Sequence, residues 1–211
     1  MQRMTDIQRL MEIHGDVGGR AVGRRVGVEV LNRSAIVLLT AIWEGYVEDV
    51  SAEAVEHLVN HLSDASHLPL SLRKKVAAEF RENPNQVAVW SLAGDSWKSV
   101  LRARLTTYAA ENAQRLNTPM SERVDTLLDG VVGIPQVTDA WHWSHMSRAR
   151  ARGKLDSLVR LRGDIAHGSG AKRPVQKGDV TGWRNHVGRL VEKTDDRVNA
   201  HVTHVTGVAL F

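Results

Sequence analysis

The feature that most constrains this chain is a short, strongly apolar run, 34–43, bracketed by Arg33 and Glu44. A helix needs about 20 such residues to cross a bilayer, and this run has roughly half of that, so it has to be buried inside protein. Leu31, Ala35, Leu38 and Ile42 follow the i, i+3/i+4 spacing of a helix face, and Val37, Leu39, Ala41, Trp43 and Val47 add apolar surface on the other sides. The spacing predicts one long helix over 26–63, apolar nearly all round. Such a helix is central and needs neighbours on several faces.

The rest of the chain supplies those neighbours as helices. No alternating apolar pattern persists anywhere, and helical periods recur instead. A short helix over 5–13 ends at Gly15, and a stretch rich in glycine and arginine follows to Gly27, as a loop or a frayed helix start. After Leu68-Pro69-Leu70, Ser71 caps a short helix through Glu82, which Pro84 ends. Asp95 or Ser96 caps the next, to Leu116, with Trp97, Val100, Leu101, Leu105 and Tyr108 inward. Asn117-Thr118-Pro119 stops it, and Ser121 starts a short helix to Leu128. After a turn and the aromatic Trp141-His142-Trp143, Ser147 opens a basic helix to Ala166, stopped by Gly168-Ser169-Gly170. Asp179 caps the last helix, which buries Val180, Trp183, Val187, Leu190 and Val191 and runs toward 205. The expectation is an all-α helical bundle of about seven helices in a single domain, 1–211, with no repeat and no long linker.

Composition narrows the chemistry. There is no cysteine, which excludes a thiol nucleophile and a thiolate zinc site and fits a reducing, cytoplasmic setting. The first ten residues mix charge with apolar residues and lack a signal-peptide core, and no segment predicts a membrane partner. Net charge is +4, a mild basic bias that permits a polyanionic partner without requiring one.

One segment reads as a chemical site: LDSLVRLRGDIAH, 155–167. Leu155, Leu158, Arg162 and Ile165 share a stripe, which places Arg162 on the core-facing side, where an arginine needs a carboxylate or an external anion. His167 stands about 7.5 Å further along an ideal helix and about 140° around it. The two converge on one small ligand if the helix relaxes at its end or if a second copy faces the first across a dimer axis. Arginine offers a cation with paired donors for a phosphodiester, and histidine can move a proton to or from a hydroxyl. Together they suffice for RNA cleavage by the ribose 2′-OH without a metal. Spacing alone is also satisfied by a structural role, a buried salt bridge and a helix C-cap histidine.

Three segments in order carry a resemblance: LNRSAIVLLTAIWEGYVEDV (31–50), LNTPMSERVDTLLDGVVGIPQVTDAWHW (116–143) and KLDSLVRLRGDIAHG (154–168). Together they resemble the HEPN superfamily of helical RNases and nucleic-acid-binding domains, most closely its RiboL-PSP-type branch, over most of the chain. The resemblance implies a helical bundle, a homodimer with two R-x4-6-H motifs facing each other in one cleft, and RNA as partner. It implies that Arg162 contacts the scissile phosphate and that His167 acts in proton transfer or orients the phosphate. Asp164 takes the place of the motif's polar residue, although many members have it directly after the arginine, where this chain has Gly163. Glu44 matches the acid of the long helix and is expected to pair with Arg162 or lie near it, with a plain buried ion pair as its other role. Some relatives that work with a small nucleotidyltransferase carry a tyrosine two residues after the histidine. Ser169 stands there, which argues against tyrosine modification at that position.

Around this core, Arg148, Arg150, Arg152 and Lys154 alternate around the basic helix and either track an RNA backbone or form a solvated face. Trp141 and Trp143 are the best base-stacking exceptions among six tryptophans, which otherwise suit a core. His57/His61, His142/His145 and His201/His204 have metal-compatible spacing without a third ligand, and no G-K-[ST] supports a P-loop, so neither metal nor cofactor is expected. The function expected is a metal-independent endoribonuclease of toxin or defence type, restrained by an antitoxin or other regulatory protein. The alternative is a non-catalytic domain that binds nucleic acid or protein.

Overall fold

The computed structural model describes residues 9, 12, 29–115, 118–168 and 174–211, apart from the side chains of 105, 106 and 108–115. The expected first helix over 5–13 (all but two residues), the glycine-arginine stretch, Ser169 and the inward-facing Leu105 and Tyr108 side chains lie outside that description. From residue 29 on, six α-helices occur among the described residues: α1 Glu29–His61, α2 Leu70–Glu82, α3 Ser96–Arg115, α4 Ser121–Val131, α5 Arg148–Ala166 and α6 Lys177–Thr206. Short 3₁₀ turns lie at Ala65–His67, Gln86–Leu92 and Val137–Ala140. The all-α expectation holds, and among the described residues the one strand-like feature is an isolated bridge between Trp143 and Met146. No described helix is long and apolar enough to cross a membrane.

The apolar run sits where its all-round hydrophobicity demands. Helix α1 packs against α3, α4, α5 and α6, and Ala35, Ile36, Leu39, Trp43, Val47 and Ala54 on it have no exposed surface. Polar groups fix how the neighbours sit. The Trp43 indole donates to the Pro119 carbonyl at 3.0 Å, and Asn32 Nδ2 donates to the Val175 carbonyl at 2.8 Å. Tyr46 donates to Asp195 Oδ1 at 2.7 Å, which ties α1 to α6. Burial and the neighbouring Asp195 charge push the Tyr46 hydroxyl pKa well up, so it stays protonated and donates.

Two expected caps differ. Helix α2 begins at Leu70 behind Pro69, two residues earlier than a Ser71 cap would place it, and the Ser71 hydroxyl instead donates to the Gly130 carbonyl at 2.8 Å, fastening α2 to α4. Helix α4 starts at Ser121 as expected, and its first turn is fastened across space: the Ser121 N–H donates to Asp156 Oδ1 of α5 at 2.9 Å. In α6 the cap is Gln176, and Asp179 is the reciprocal partner three residues on, its Oδ2 accepting from the Gln176 N–H at 2.9 Å. The Ser147 cap of α5 is as expected, its hydroxyl accepting from the Arg150 N–H.

Candidate functional site

The end of α5 is regular up to its last residue. His167 occupies the C-cap with φ −90° and ψ 3°, and its N–H still donates to the Gly163 carbonyl at 3.0 Å. Gly168 then takes the left-handed φ of +68° that stops the helix. A relaxed helix end is therefore absent. The Cα atoms of Arg162 and His167 keep the roughly 140° separation of an ideal helix, and a single chain does not bring them to one side.

Arg162 lies only in part on the core-facing side of the helix. It is half-buried beside the partly buried Ile165, with Leu155 and Leu158 fully buried further back. Glu44 is half-buried on α1, and the Arg162 charge reaches it and lowers its pKa. Burial and the adjacent Glu48 outweigh that effect, so the net pKa of Glu44 is raised. The two lie near each other, yet no hydrogen bond or direct ion pair joins them. Among the described residues nothing else pairs with the Arg162 guanidinium either. A cation with paired donors, half-shielded from water and without a carboxylate clamp, is suited to an external anion. Asp164 and His167 are exposed.

The basic start of α5 divides in two. Arg148 and Arg150 are exposed, and Arg148 pairs with Asp139 at 2.7 Å. Arg152 also has contacts inside the protein: its Nε lies 3.4 Å from the Ser121 hydroxyl and its Nη2 lies 3.6 Å from Asp125 Oδ2. Asp125 is itself buried and accepts from the Thr138 N–H at 2.9 Å and the Thr138 hydroxyl at 2.8 Å. Trp141 is corrected as a base-stacking candidate. It has no exposed surface, packs edge-on against Trp43 at 5.7 Å and donates to the Thr194 hydroxyl at 2.9 Å, so neither ring face is open to a base.

Trp143 and Lys154 fare differently. They border a cleft of about 760 Å³ that also takes in Arg184, His186 and Arg189 of α6. Sequence reasoning missed the α6 residues. The signal was the Trp183-Arg184-Asn185-His186 run, read only as a helix with an apolar face. Of the paired histidines, His61 Nδ1 lies 2.9 Å from the His57 carbonyl, and His201 Nε2 lies 3.0 Å from the Val132 carbonyl. No group of three potential metal ligands occurs among the described residues.

Comparison with known proteins gives one match. The family model for RiboL-PSP-HEPN matches residues 3–200, nearly the whole chain. No curated protein and no solved structure matches.

Proposed function

The chain belongs to the RiboL-PSP-HEPN family, and from that premise we propose that it is a metal-independent endoribonuclease acting at the end of α5. HEPN domains are often RNases, which supports an RNA-cleaving or RNA-binding role at the coarse level. The observation that carries the finer reading is the Arg162 guanidinium, half-buried with no carboxylate paired to it, on the helix that ends at the exposed His167.

In the proposed reaction the ribose 2′-hydroxyl gives its proton to a base, its oxygen attacks phosphorus, the P–O5′ bond breaks, and the 5′-oxygen takes up a proton. The products are a 2′,3′-cyclic phosphate and a 5′-hydroxyl. Arg162 neutralises charge on the phosphorane oxygens, and His167 handles a proton at the attacking or leaving oxygen. Since one helix keeps the two residues on different sides, the working site is built by two copies, Arg162 of each facing His167 of the other across a homodimer cleft. Glu44 tunes the field around Arg162, and Asp164 adds a polar group at the mouth. A regulatory protein of antitoxin type would act by covering this end.

The test is incubation of wild-type and His167→Ala protein with end-labelled RNA in EDTA, with the product ends mapped and the mass in solution measured. The expected result is cleavage by wild type alone, cyclic-phosphate ends and a dimeric mass. Equal cleavage by His167→Ala removes the assigned role. RNA binding without cleavage by either protein favours the non-catalytic reading.

A further inference from the structure

Seven large apolar side chains are exposed among the described residues, and three of them stand within four consecutive positions: Val87 (66% exposed), Val89 (49%) and Trp90 (75%). Single exposed apolar residues are ordinary on a protein surface, whereas a group of them marks a place where something binds. The group lies on the 3₁₀ turn Gln86–Leu92, which packs on α2 and α3. At three residues per turn, side chains at i and i+3 eclipse, so Val87 and Trp90 form one outward ridge. The partly buried Leu92 packs on the core and anchors the turn. The backbone is held along its length. The Asn85 side chain accepts from the Val87 N–H at 3.3 Å, the Ser91 hydroxyl donates to the Ala88 carbonyl at 2.7 Å, and the Ala93 N–H donates to the Trp90 carbonyl at 3.0 Å. The ridge is thus presented in a fixed shape, which lowers the ordering cost of binding.

Charge supplies an independent observation. Residues 83–94 carry no charged side chain, while residues 70–105 around them hold seven Lys and Arg against three Asp and Glu. That balance of +4 equals the net charge of the entire chain, so the positive excess is concentrated in the segment that carries the ridge. Part of it is used internally: Arg104 is tied to Glu79 at 2.6 Å and Arg102 to Asn60 at 2.7 Å. Arg81, in the last turn of α2, is exposed and has no partner among the described residues. Lys98, in the first turn of α3, lies 5.5 Å from the centre of the Trp97 ring. An apolar centre with a tryptophan, free of charge and rimmed by cations, has the anatomy of a protein–protein contact.

We propose that this ridge docks an acidic segment of another protein, whose apolar side chains cover Val87 and Trp90 and whose carboxylates face Arg81 and Lys98. Seven residues at about 2 Å each make a ridge about 14 Å long, which matches about nine residues of a helix in the partner. A second copy of this chain is disfavoured, because two rims of the same sign repel. A nucleic-acid strand finds one aromatic face beside valines that do not stack on bases, and no cation within the uncharged stretch. A bilayer finds three apolar side chains, less than the single acyl chain that by itself gives only marginal membrane binding. The ridge shares no residue with the cleft or with the end of α5, and docking there is independent of the RNA-cleaving reading.

The experiment is selection of a random-peptide phage library on the immobilised full chain, with the Trp90→Ser chain as counter-selection. The enriched peptides are then synthesised and titrated by calorimetry. They are expected to be net acidic and to carry large apolar residues. Affinity should fall at least tenfold in Trp90→Ser and in Val87→Asp, and several-fold in Arg81→Glu and on raising the salt concentration. All three positions are exposed, so the variants should melt like wild type, and a loss in any one that does so suffices. Phosphatidylserine–phosphatidylcholine vesicles and a short single-stranded RNA are titrated in parallel, and the mass in solution is measured for wild type and Trp90→Ser. No enrichment, neutral or basic binders, or binding indifferent to the three substitutions overturns the docking of an acidic segment. So does Trp90-dependent binding of vesicles or RNA without peptide binding, which gives the ridge to a membrane or a nucleic acid. Self-association lost in Trp90→Ser overturns it as well, in favour of a second copy. Each outcome is read from binding alone, so it stands whether or not the chain cuts RNA.

Discussion

The two ends of α5 are built on opposite principles. At its start, a set of polar groups is paired inside the protein. Asp125 holds Thr138 twice and stands beside Arg152, Asp156 holds Ser121 twice, and the Trp141 indole is tied to Thr194. At its end, Arg162 has a carboxylate nearby but unpaired with it, and His167 is exposed. These pairs fasten the first half of the helix into the protein, whereas the half-buried Arg162 guanidinium in the second half has no such carboxylate tie. Unpaired polar groups are tolerated where function uses them.

Trp141→Ala breaks the fastened end most severely. Removing a fully buried indole costs about 3–5 kcal/mol, and at about 2–4 °C per kcal/mol for a chain of this size the melting temperature falls by roughly 10 °C or more. Thermal denaturation followed by circular dichroism measures it, and a fall under 3 °C would mean that the fastened end is not as rigid as described. Asp125→Ala comes next. It strands the Thr138 donors and loses hydrogen bonds to a charged acceptor, with an expected cost of roughly 3 kcal/mol by urea denaturation.

A third test concerns pH. The His186 pKa is lowered to about 4 from its ordinary 6.5 by burial first and the Lys154 charge second. In the unfolded chain the ring takes a proton as pH drops below 6.5, while in the folded protein it does not until near 4. Its contribution to stability is thus complete above 6.5 and declines as pH falls from there toward 4. The urea midpoint of wild type should drop faster across that window than that of His186→Gln; parallel slopes would contradict the burial. The smallest effect belongs to the open end. Arg162→Ala is expected to change stability by less than about 0.5 kcal/mol, while NMR titration finds the Glu44 pKa raised further, because the one charge that lowers it is gone. A large loss of stability would make Arg162 a structural residue and erase the contrast.

This contrast was half legible in the sequence. Periodicity located α1 and its central position, because a helix apolar on all sides has one place to go. The Ser147 cap and the glycine stop of α5 were legible for the same local reason. What was not legible depends on residues distant in sequence. Ser121 marks the start of its helix in the sequence, but the carboxylate that accepts from its N–H is Asp156, 35 residues away. Trp141 and Trp143 look equivalent, two residues apart beside basic residues. They differ because the chain turns through the 3₁₀ segment between α4 and α5, which drives one indole into the core and leaves the other at a cleft wall. The α6 side of that cleft escaped notice because its cations are interleaved with core positions and form no run of charge.

The buried pair of indoles has an optical consequence. Trp43 and Trp141 meet edge-on, with ring centres 5.7 Å apart and planes at 70°, and both N–H groups are hydrogen-bonded. Transition dipoles held that close and that far from parallel couple as an exciton, which gives the folded protein a signed near-ultraviolet dichroism band. Trp90, with 75% of its surface in solvent, supplies instead a red-shifted emission that a quencher can silence. The chain thus carries its own two-channel spectrometer: one band reports whether α1 and the turn before α5 remain docked, while the surface emission reports on the face around Trp90.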